Sequence, residues 1–444
     1  MRMTKVGQVL VGAGPANLAA AAFFLSQGNL DFVVLEAGKS LFKRRCPAQP
    51  LHTCHFCNGS SCPTIEGVGG ASGFYGNKLC YFPASRGIDE YFASRDLTVA
   101  RRFLSDALSP YVEDTYHTSS TGERNRKNYV SDIIYQSEYQ DLLLRMINPL
   151  RESGLLWDNC RLLSAKKLTG GGFLLSTSSG QTLHAKTLVL GTGRSSSDSI
   201  RTLYDDLQVE YRYLPQDIGY RIELETKTVN PQFFYQADPK FKYDNSIGSA
   251  RTFCGCRNGL LVPVKFGPGY IADGAFGPTS TGRTNIALMV RSKEPLGNRN
   301  LEEWCLQTNE MHNNSIFLGS LIASNTKSIL EGIKSFIQDW PSETHSKLIE
   351  THLSRLLTAY SPIIPGSGEP QSIRYFGPSI DRYWPVPDIR INCSTNVRDL
   401  FIVGDAAGRS RGILQAMISG VAWANSFVEP GFQTLKCLPR FDLA

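Results

Sequence analysis

Long apolar runs, basic clusters and the familiar hydrolase and metal-site motifs are all missing from this chain of 444 residues. No segment reaches the ~18 consecutive apolar residues of a membrane-spanning helix. Lysine and arginine total 46 against 40 acidic residues and form no basic block, so the charge does not favour nucleic acid or a membrane surface as a partner. The sequence contains no GxSxG, HExxH, P-loop or EF-hand pattern, which removes the simplest signatures of those enzyme and binding classes.

The composition is that of an ordinary folded protein. Hydrophobic residues make up 41% and charged residues 19%, and the length predicts two or three domains. The apolar residues 9–11 and 18–25 follow early basic residues, as in a signal peptide. Because Gly12, Gly14 and Pro15 interrupt that run, we interpret it as folded structure and expect a cytoplasmic protein.

The N-terminal segment has the pattern of a βαβ unit. Residues 7–11 are apolar and predict a strand. Residues 15–27 are rich in alanine and leucine, with proline at the start and glycine just past the end, which is typical of a helix. Residues 32–35 are a continuous apolar run, which predicts a second strand buried on both faces.

The turn of this unit carries the first chemical signal. Gly12 permits a tight turn, and Gly14 lets backbone N–H groups approach a pyrophosphate at the start of the helix, where Pro15, Ala16 and Asn17 follow. Asn17 stands where this motif has its third glycine, which predicts slightly looser packing of the helix on the strand.

The second strand ends in an acidic residue. Glu36, followed by Ala37, is placed to accept hydrogen bonds from an adenosine ribose. Strand, glycine turn, helix and acidic residue in this register predict the binding of a dinucleotide.

Two later segments combine an apolar strand with a small-residue turn. The strands are residues 187–190 and 400–403, and the turns contain Gly191, Thr192, Gly193, Gly404 and Asp405. A helix is predicted to begin after Gly412, at Ile413. With the first turn, these segments resemble the motif set of two-dinucleotide-fold flavoproteins. That resemblance implies FAD as the cofactor, with Asp405 at its ribityl or phosphate part and the positive end of the helix at the flavin pyrimidine.

Longer motifs resemble one particular family. They include Arg45-Cys46-Pro47, Gly67-x-Gly69-Gly70-Ala71-Ser72-Gly73, Asn77-Lys78-Leu79, Asp217-Ile218-Gly219-x-Arg221 and Gly404-Asp405-Ala406-Ala407-Gly408. Over most of its length the chain is similar to a largely uncharacterised family of FAD-dependent dehydrogenases, the NAD(FAD)-utilising dehydrogenases. The family often has Ser-Asp-Gly-Lys-Leu where this chain has Tyr75-Gly76-Asn77-Lys78-Leu79, which would change contacts near the flavin. The resemblance implies a fold and a cofactor but no substrate.

Loop glycines and cations complete the candidate cofactor set. Gly69, Gly70 and Gly73 would let the backbone approach the flavin or its phosphates; the alternative is a loop that simply requires positive φ. Arg45, with its neighbour Arg44, either pairs with adenosine or pyrophosphate or belongs to a solvated basic loop.

Lys78 and Arg194 are the candidate catalytic cations. Either can hold negative charge at the N1–C2=O edge of a reduced flavin, and the alternative for both is a surface salt bridge. Asp217, Arg221 and Arg251 are candidates for a substrate pocket, although a structural ion pair is the simpler interpretation.

Four of the eleven cysteines fall close together, at Cys46, Cys54, Cys57 and Cys62. The Cys54-x2-Cys57 core suits a structural zinc ion or an iron–sulfur cluster, which an electron-donor protein would feed, although the spacing matches no ferredoxin pattern. Cys54 and Cys57 would also suit a redox dithiol that exchanges electrons with FAD. The remaining alternative is a loop of unliganded thiols.

These patterns predict an α/β protein with a Rossmann-like FAD-binding domain and an inserted, mixed α+β substrate domain. We expect the FAD-binding domain to comprise residues 1–85, 130–205 and 368–444 and the substrate domain residues 206–367, with residues 86–129 as a further insertion.

The function predicted from these residues is that of an FAD-dependent oxidoreductase, moving two electrons between FAD and a small organic substrate. One alternative is a flavin-dependent monooxygenase with transiently bound NAD(P)H, although no second glycine turn appears between residues 201 and 363. Another is a flavin-containing redox sensor or partner protein that responds through its cysteine loop. An RNA-modifying flavoenzyme is disfavoured by the weak, unclustered positive charge.

Overall fold

The computed structural model describes residues 4–46, 62–75, 78–81, 84, 86–112, 126–127, 131–194, 197–229, 240–276, 280–337, 339–360 and 370–428. The strands in these ranges are β1 (Thr4–Val11), β2 (Phe32–Leu35), β3 (Lys78–Cys80), β4 (Arg126–Lys127), β5 (Ser131–Ile133), β6 (Leu156–Trp157), β7 (Leu162–Lys167), β8 (Phe173–Thr177), β9 (Thr182–Leu190), β10 (Tyr211–Arg212), β11 (Asp217–Glu225), β12 (Lys240–Asp244), β13 (Gly248–Cys256), β14 (Leu260–Phe266), β15 (Gly269–Ala275), β16 (Arg283–Ser292), β17 (Phe317–Ala323), β18 (Gln371–Asp381), β19 (Val386–Pro387) and β20 (Leu400–Ile402). The α-helices are α1 (Pro15–Ser26), α2 (Ser72–Tyr75), α3 (Ser94–Leu108), α4 (Gln136–Glu152), α5 (Ser197–Leu207), α6 (Asn298–Met311), α7 (Thr326–Phe336), α8 (Glu343–Leu348), α9 (Ser354–Tyr360) and α10 (Ile413–Asn425). No helix in the described ranges combines the length and the apolar character needed to cross a bilayer.

The first sheet is built around the predicted βαβ unit. β1 pairs in parallel with β2, Val11 opposite Leu35, and with β9, Val11 opposite Leu190. β6 extends the sheet beyond β2; on the other side β8 pairs antiparallel with β9, and β7 pairs antiparallel with β8. Helices α1, α3, α4 and α10 share one hydrophobic core with this sheet. The predicted α/β class with a Rossmann-like unit is confirmed.

Parallel pairing brings the predicted turns to one edge of this sheet. β1, β2, β9 and β20 end at Val11, Leu35, Leu190 and Ile402, and Ile402 lies opposite Leu190. Each strand is followed by one of the small-residue or acidic turns singled out above. In an open parallel sheet, the carboxyl edge is where ligands bind.

Helix α1 is buried on nearly every side because α10 packs across it. Residues 16–24 of α1 are all buried. Gly420 permits the close approach of the helices, since a Cβ built there would overlap the carbonyl oxygen of Ala16. On its other side, α10 packs against α3, where Asn425 Nδ2 donates to Asp96 Oδ1 over 2.7 Å. Helix α3, expected from the sequence to lie in an insertion, therefore shares the core of the first sheet.

The second sheet is antiparallel and has its own core. Its strand order is β17-β18-β11-β16-β13-β12-β4, and α6 to α9 complete its hydrophobic cluster. The hairpin of β14 and β15 packs against it. β18 lies inside this sheet, although the sequence grouped residues 368–444 with the first domain. β18 pairs with β11 and β17, and no pattern in the local sequence indicates which distant strands it pairs with. The predicted domain limits stay a prediction.

Candidate functional site

A cavity of about 530 Å³ runs along the carboxyl edge of the first sheet and reaches the second sheet. Arg221 of the substrate-pocket candidates lines it, together with fifteen of the candidate cofactor and catalytic residues: Gly12, Gly14, Pro15, Ala16, Glu36, Ala37, Gly70, Gly191, Thr192, Gly193, Arg194, Gly404, Asp405, Gly412 and Ile413. Asn17, Arg45, Gly69, Gly73 and Lys78 are described but do not line it. The structure thus brings five separate sequence segments, around residues 12–16, 36–37, 70, 191–194 and 404–413, into one wall.

The first glycine turn is held tightly against the turn that follows β9. Gly12 has φ +94°, and a Cβ built there would lie 2.8 Å from the carbonyl oxygen of Gly191. Its N–H donates to the carbonyl of Leu35 over 2.7 Å. A side chain at position 12 would therefore be strained and would also push the two turns apart.

Asn17 does not loosen the packing of α1, contrary to the expectation from the missing third glycine. Its buried amide Nδ2 donates to the carbonyls of Val11 and Gly12, at 3.0 and 2.9 Å. A Cβ built on Gly191 would lie 2.6 Å from this amide, so the missing side chain at position 191 provides the room. The space that a third glycine of the motif would leave is provided instead by Gly191, in the turn after β9.

Glu36 organises the backbone around the cavity. One carboxylate oxygen accepts from the N–H of Ala13 at 2.8 Å, and the other from those of Gly38 at 2.8 Å and Gly67 at 3.1 Å. Its side chain is buried but lies in the cavity wall. The predicted contact with an adenosine ribose stays a prediction. The structural role of this carboxylate was not visible in the sequence.

A second glycine loop, residues 67–73, packs against the first glycine turn. The side chain that holds this loop is Arg44 and not Arg45. The Arg44 guanidinium is buried and donates to the carbonyls of Pro63 at 3.0 Å, Val68 at 3.1 Å and Gly70 at 2.6 Å. Burial lowers the pKa of Arg44 to about 10, against the opposing charge of Glu36. Arg45 is exposed. The sequence could not separate two adjacent arginines, because which one points inwards depends on the loop's path.

The two loops touch through glycines. The N–H of Gly69 donates to the carbonyl of Ala13 over 2.8 Å. A Cβ built on Gly70 would lie 3.1 Å from Cα of Gly14 and 3.3 Å from Cδ of Pro15. Gly70 has φ +62°, which also favours glycine. Backbone groups of both loops therefore face the start of α1 without intervening side chains.

Arg194, a candidate catalytic cation, lies in the cavity wall between two carboxylates. Its Nε is 2.7 Å from Asp405 Oδ2, and its Nη1 donates to Asp381 Oδ1 over 2.7 Å. Burial by itself would lower the pKa of Arg194. The negative charges of Asp405 and Asp381 raise it by more, so the pKa lies well above its ordinary value. Arg194 is therefore a cation held by two carboxylates, and its catalytic role stays a prediction.

The ion pair of Arg194 belongs to a larger buried network. Asp381 also accepts from Arg411 and Arg251, and Asp217 accepts from Arg251 and Arg291. Asp217 and Arg251 thus form the structural ion pair anticipated from the sequence. Asp381 was missed, since nothing around it in the sequence distinguishes it from other strand-end aspartates.

Lys78, the other candidate catalytic cation, points towards the second sheet. Its Nζ lies 3.8 Å from Sγ of Cys254 and 6.0 Å from the ring centroid of Phe276. It is absent from the cavity wall, whereas Arg194 is present there. Of the two candidate catalytic cations, the geometry therefore favours Arg194 as the one that can face a ligand in the cavity.

The candidate cysteine site lies largely outside the described residues. Cys54 and Cys57 fall in that part of the chain. Cys46 is half-buried and Cys62 buried, both as free thiols. Among the residues that the structure describes, no group of three or more His, Cys, Asp or Glu side chains could hold a metal ion. The metal, dithiol and unliganded alternatives stay predictions.

Glu66 is a cavity-lining acid that the sequence did not single out. Burial raises its pKa to about 7, against the effect of Arg161, whose Nη2 lies 3.3 Å away, and with a further increase from Glu36. A raised pKa means that the folded state binds the proton more tightly. The resulting stabilisation is complete below the ordinary value of 4.5 and is lost as pH rises through about 7.

Replacing Glu66 by glutamine should therefore flatten part of the pH dependence of stability. We expect the free energies of unfolding of wild type and Glu66→Gln to agree near pH 4 and to diverge in favour of the variant by on the order of 3 kcal/mol near pH 8. Urea denaturation at several pH values measures this. Glu350→Gln, at an exposed glutamate paired with Lys334, is the matched control and should run parallel to wild type. If the stability of Glu66→Gln ran parallel to that of wild type over this pH range, the raised pKa of Glu66 would be contradicted.

Two solved structures illustrate what the fold resembles. A geranylgeranyl bacteriochlorophyll reductase-like protein from Thermoplasma acidophilum aligns over 96% of this chain and 78% of its own, at 14% identity and a TM-score of 0.39. PqsL of Pseudomonas aeruginosa, described as a probable FAD-dependent monooxygenase, aligns over 95% and 85%, at 14% identity and a TM-score of 0.36. No protein-family model and no curated protein matches the sequence. Likenesses at this level assign neither a family nor an activity to the chain.

Proposed function

We propose that this chain binds FAD in the cavity and is an oxidoreductase that moves two electrons between FAD and a small organic substrate. The observation that carries the proposal is the convergence of the strand ends of β1, β2, β9 and β20, and of the first residues of α1 and α10, on one cavity. Two further observations support the proposal: the lining residues fit a dinucleotide, and the cavity extends to the second sheet.

The start of α1 fits a pyrophosphate. This helix of twelve residues has Gly14 as its N-cap, no side-chain cap and no acidic residue in its first turn. Its first backbone N–H groups therefore lack partners within the helix, and the helix dipole favours an anion there. Gly14 and Gly70 both line the cavity at this point, so backbone from two loops can approach the phosphates.

Two further groups fit the remaining polar parts of the cofactor. Among the described residues, the buried hydroxyl of Thr192 has no hydrogen-bond partner, and Thr192 lines the cavity. A buried hydroxyl without a partner is costly, and a ligand hydroxyl or phosphate oxygen would satisfy it. Glu36, with Ala37 beside it, would hold the adenosine ribose.

The flavin end would lie towards the second sheet, near Asp405, Gly412 and Ile413. When bound, FAD supplies hydride or two-electron transfer. The chain's own residues would orient it and exclude water, and the fixed charge of Arg194 would favour negative charge on the ring. Asp405 is held by Arg194 and would accept from a ribityl hydroxyl.

Adding one methyl group at Gly14 should weaken FAD binding without unfolding the protein. A Cβ built there meets only the carbonyl oxygen of Gly191, at 3.7 Å, and the backbone has φ −83°, which alanine adopts freely. We expect wild type to bind FAD in a 1:1 ratio and Gly14→Ala to bind it at least about tenfold more weakly, with stability changed by no more than about 1 kcal/mol. Titration of the apoprotein, followed by quenching of flavin fluorescence, gives both affinities.

Gly170→Ala is the control, because that glycine lies in a hairpin with nothing within 4 Å of its added Cβ. No FAD binding by wild type would overturn the proposed function, and equal affinities for all three proteins would overturn the placement of the phosphates. Iron, zinc and acid-labile sulfide assayed on the same FAD-loaded sample distinguish a zinc site and an iron–sulfur cluster from a cysteine loop without metal. Reduction of the bound flavin by NAD(P)H would favour the monooxygenase alternative.

A further inference from the structure

In the part of the cavity formed by the second sheet, Asp273 on β15 carries the more exposed carboxylate, since Asp381 on β18 is almost fully buried. Asp273 Oδ1 accepts from Arg221 Nη2 over 2.9 Å and from the N–H of Gly274 over 2.8 Å. The side chain of Asp273 is 42% exposed, whereas that of Arg221 is 1% exposed. Both residues line the cavity, but the carboxylate is the member of the pair that a ligand can reach.

Arg221 is fixed behind this carboxylate as its counter-charge. Its Nη1 donates to Asn285 Oδ1 over 2.8 Å and to the carbonyl of Cys254 over 3.0 Å. Gly274 leaves the space for the guanidinium, since a Cβ there would lie 2.6 Å from Asn285 Oδ1 and overlap Arg221. With both Nη groups so engaged, Arg221 is held in place while one oxygen of Asp273 is oriented.

Apolar side chains line the same cavity as the Asp273 carboxylate. Phe253, Val264, Ile271 and Met289, which come from four strands, all line the same cavity. Such a wall binds an apolar body by the hydrophobic effect, and a few placed polar groups then set its orientation. Here the reachable polar group is an acceptor.

Asp273 also lies near the end of the cavity where the flavin is proposed to bind. The charges of Asp405 and Asp273 both act on Arg194. Asp381, a third carboxylate, contacts the same arginine. A ligand anion entering here would meet Asp273, the most exposed of the three, whereas Arg194 is already engaged by the other two carboxylates.

Resting on the proposed FAD function, we propose that the substrate has an apolar body bearing a hydroxyl or amino group, which donates a hydrogen bond to Asp273. Carboxylate- and phosphate-bearing molecules are disfavoured by the same group. Asp273 is thus a specificity-determining residue for this cavity.

Matched aromatic probes test the proposal on the FAD-loaded protein. Benzyl alcohol and benzylamine carry a donor, benzoate carries an anion, and all three share one ring. We expect perturbation of the flavin absorption spectrum to report dissociation constants for the two donors about tenfold below that for benzoate. Asp273→Asn should bring this ratio to within about threefold, because the amide is uncharged and also offers a donor.

Asp206→Asn is the matched control, since Asp206 is an exposed aspartate of α5 that lines the same cavity. It should keep the wild-type ratio. FAD titrated without probes measures the proposed function separately: if FAD does not bind, that function fails. If FAD binds but benzoate binds as tightly as the donors, or Asp273→Asn keeps the wild-type ratio, this inference alone is overturned. The wild-type ratio decides the question even if Asp273→Asn fails to fold.

Discussion

Replacing Asp381 by alanine is expected to lower the free energy of unfolding by about 3–5 kcal/mol. The carboxylate is buried and accepts from Arg194 at 2.7 Å, Arg411 at 2.8 and 2.9 Å, and Arg251 at 3.1 Å. Removing it leaves three guanidinium groups without their shared acceptor. Each arginine keeps Asp405 or Asp217 as a partner and is 16–30% exposed, but the arginines then outnumber these acids, and their mutual repulsion is no longer offset.

The position of Asp381 explains why the effect should spread beyond one ion pair. Asp381 ends β18 of the second sheet, and Arg251 lies on β13 of the same sheet. Arg194 follows β9, and Arg411 precedes α10, both in the region of the first sheet. The carboxylate therefore joins the two sheets beside the cavity, and its loss should also weaken FAD binding by displacing Arg194.

The effect of Asp381 should depend on pH in a defined direction. Burial raises the pKa of Asp381, but Arg411, Arg194 and Arg251 lower it more, so it lies well below the ordinary value of 3.8. A carboxyl group with a depressed pKa contributes stability above its ordinary pKa and loses it as pH falls. The difference between wild type and Asp381→Ala should therefore be full near neutrality and shrink below about pH 4.

Urea denaturation with far-ultraviolet circular dichroism measures this difference. Asp244→Ala is the control: that aspartate is 52% exposed and pairs with Lys242 at 2.7 Å. Exposed pairs contribute about 0–1 kcal/mol, so the control should remain close to wild type. A loss of less than about 1 kcal/mol in Asp381→Ala would contradict the assigned role of Asp381 as the shared acceptor.

Adding a methyl group to Gly420 is expected to cost about 1–3 kcal/mol of stability. A Cβ built there would overlap the backbone carbonyl of Ala16, which cannot move without shifting α1. In an exposed helix interior, glycine to alanine would instead stabilise by up to about 1 kcal/mol. The sign of the measured change thus reports the contact between α10 and α1, and not helix propensity.

The displacement should also reach the cavity, because both helices begin at its wall. FAD affinity of Gly420→Ala should fall together with stability, whereas Gly170→Ala, with open space around its added Cβ, should leave both unchanged. An increase in stability of Gly420→Ala would show that the helices are not in the contact described here.

The comparison of Gly12 with Asn17 shows how far local patterns predict a site. Gly12 was identified correctly as a turn residue because a positive φ and a small side chain are local requirements. Asn17 was interpreted as a weakness, since the compensating space belongs to Gly191, far away in the chain. A motif read along one segment cannot include atoms that another segment contributes.

The charged residues also divide into those that the local sequence identified and those that only the fold revealed. Arg194 and Asp405 were singled out because they directly follow strands that end at the carboxyl edge. Asp273 and Asp381 were missed, since an aspartate near a strand end is also ordinary turn chemistry. Only the arginines that meet them, and for Asp381 also its burial, distinguish them from such residues.

The sequence by itself determined the βαβ unit, the α/β class and the residues along the carboxyl edge of the first sheet. These depend on hydrophobic periodicity and on glycine's backbone freedom, which act over a few residues. Only the tertiary structure decided that β18 joins the second sheet, that Arg44 rather than Arg45 is buried, and that Asp381 gathers three arginines. Those outcomes depend on which distant segments pack together, because burial and charge pairing arise only when the chain has folded.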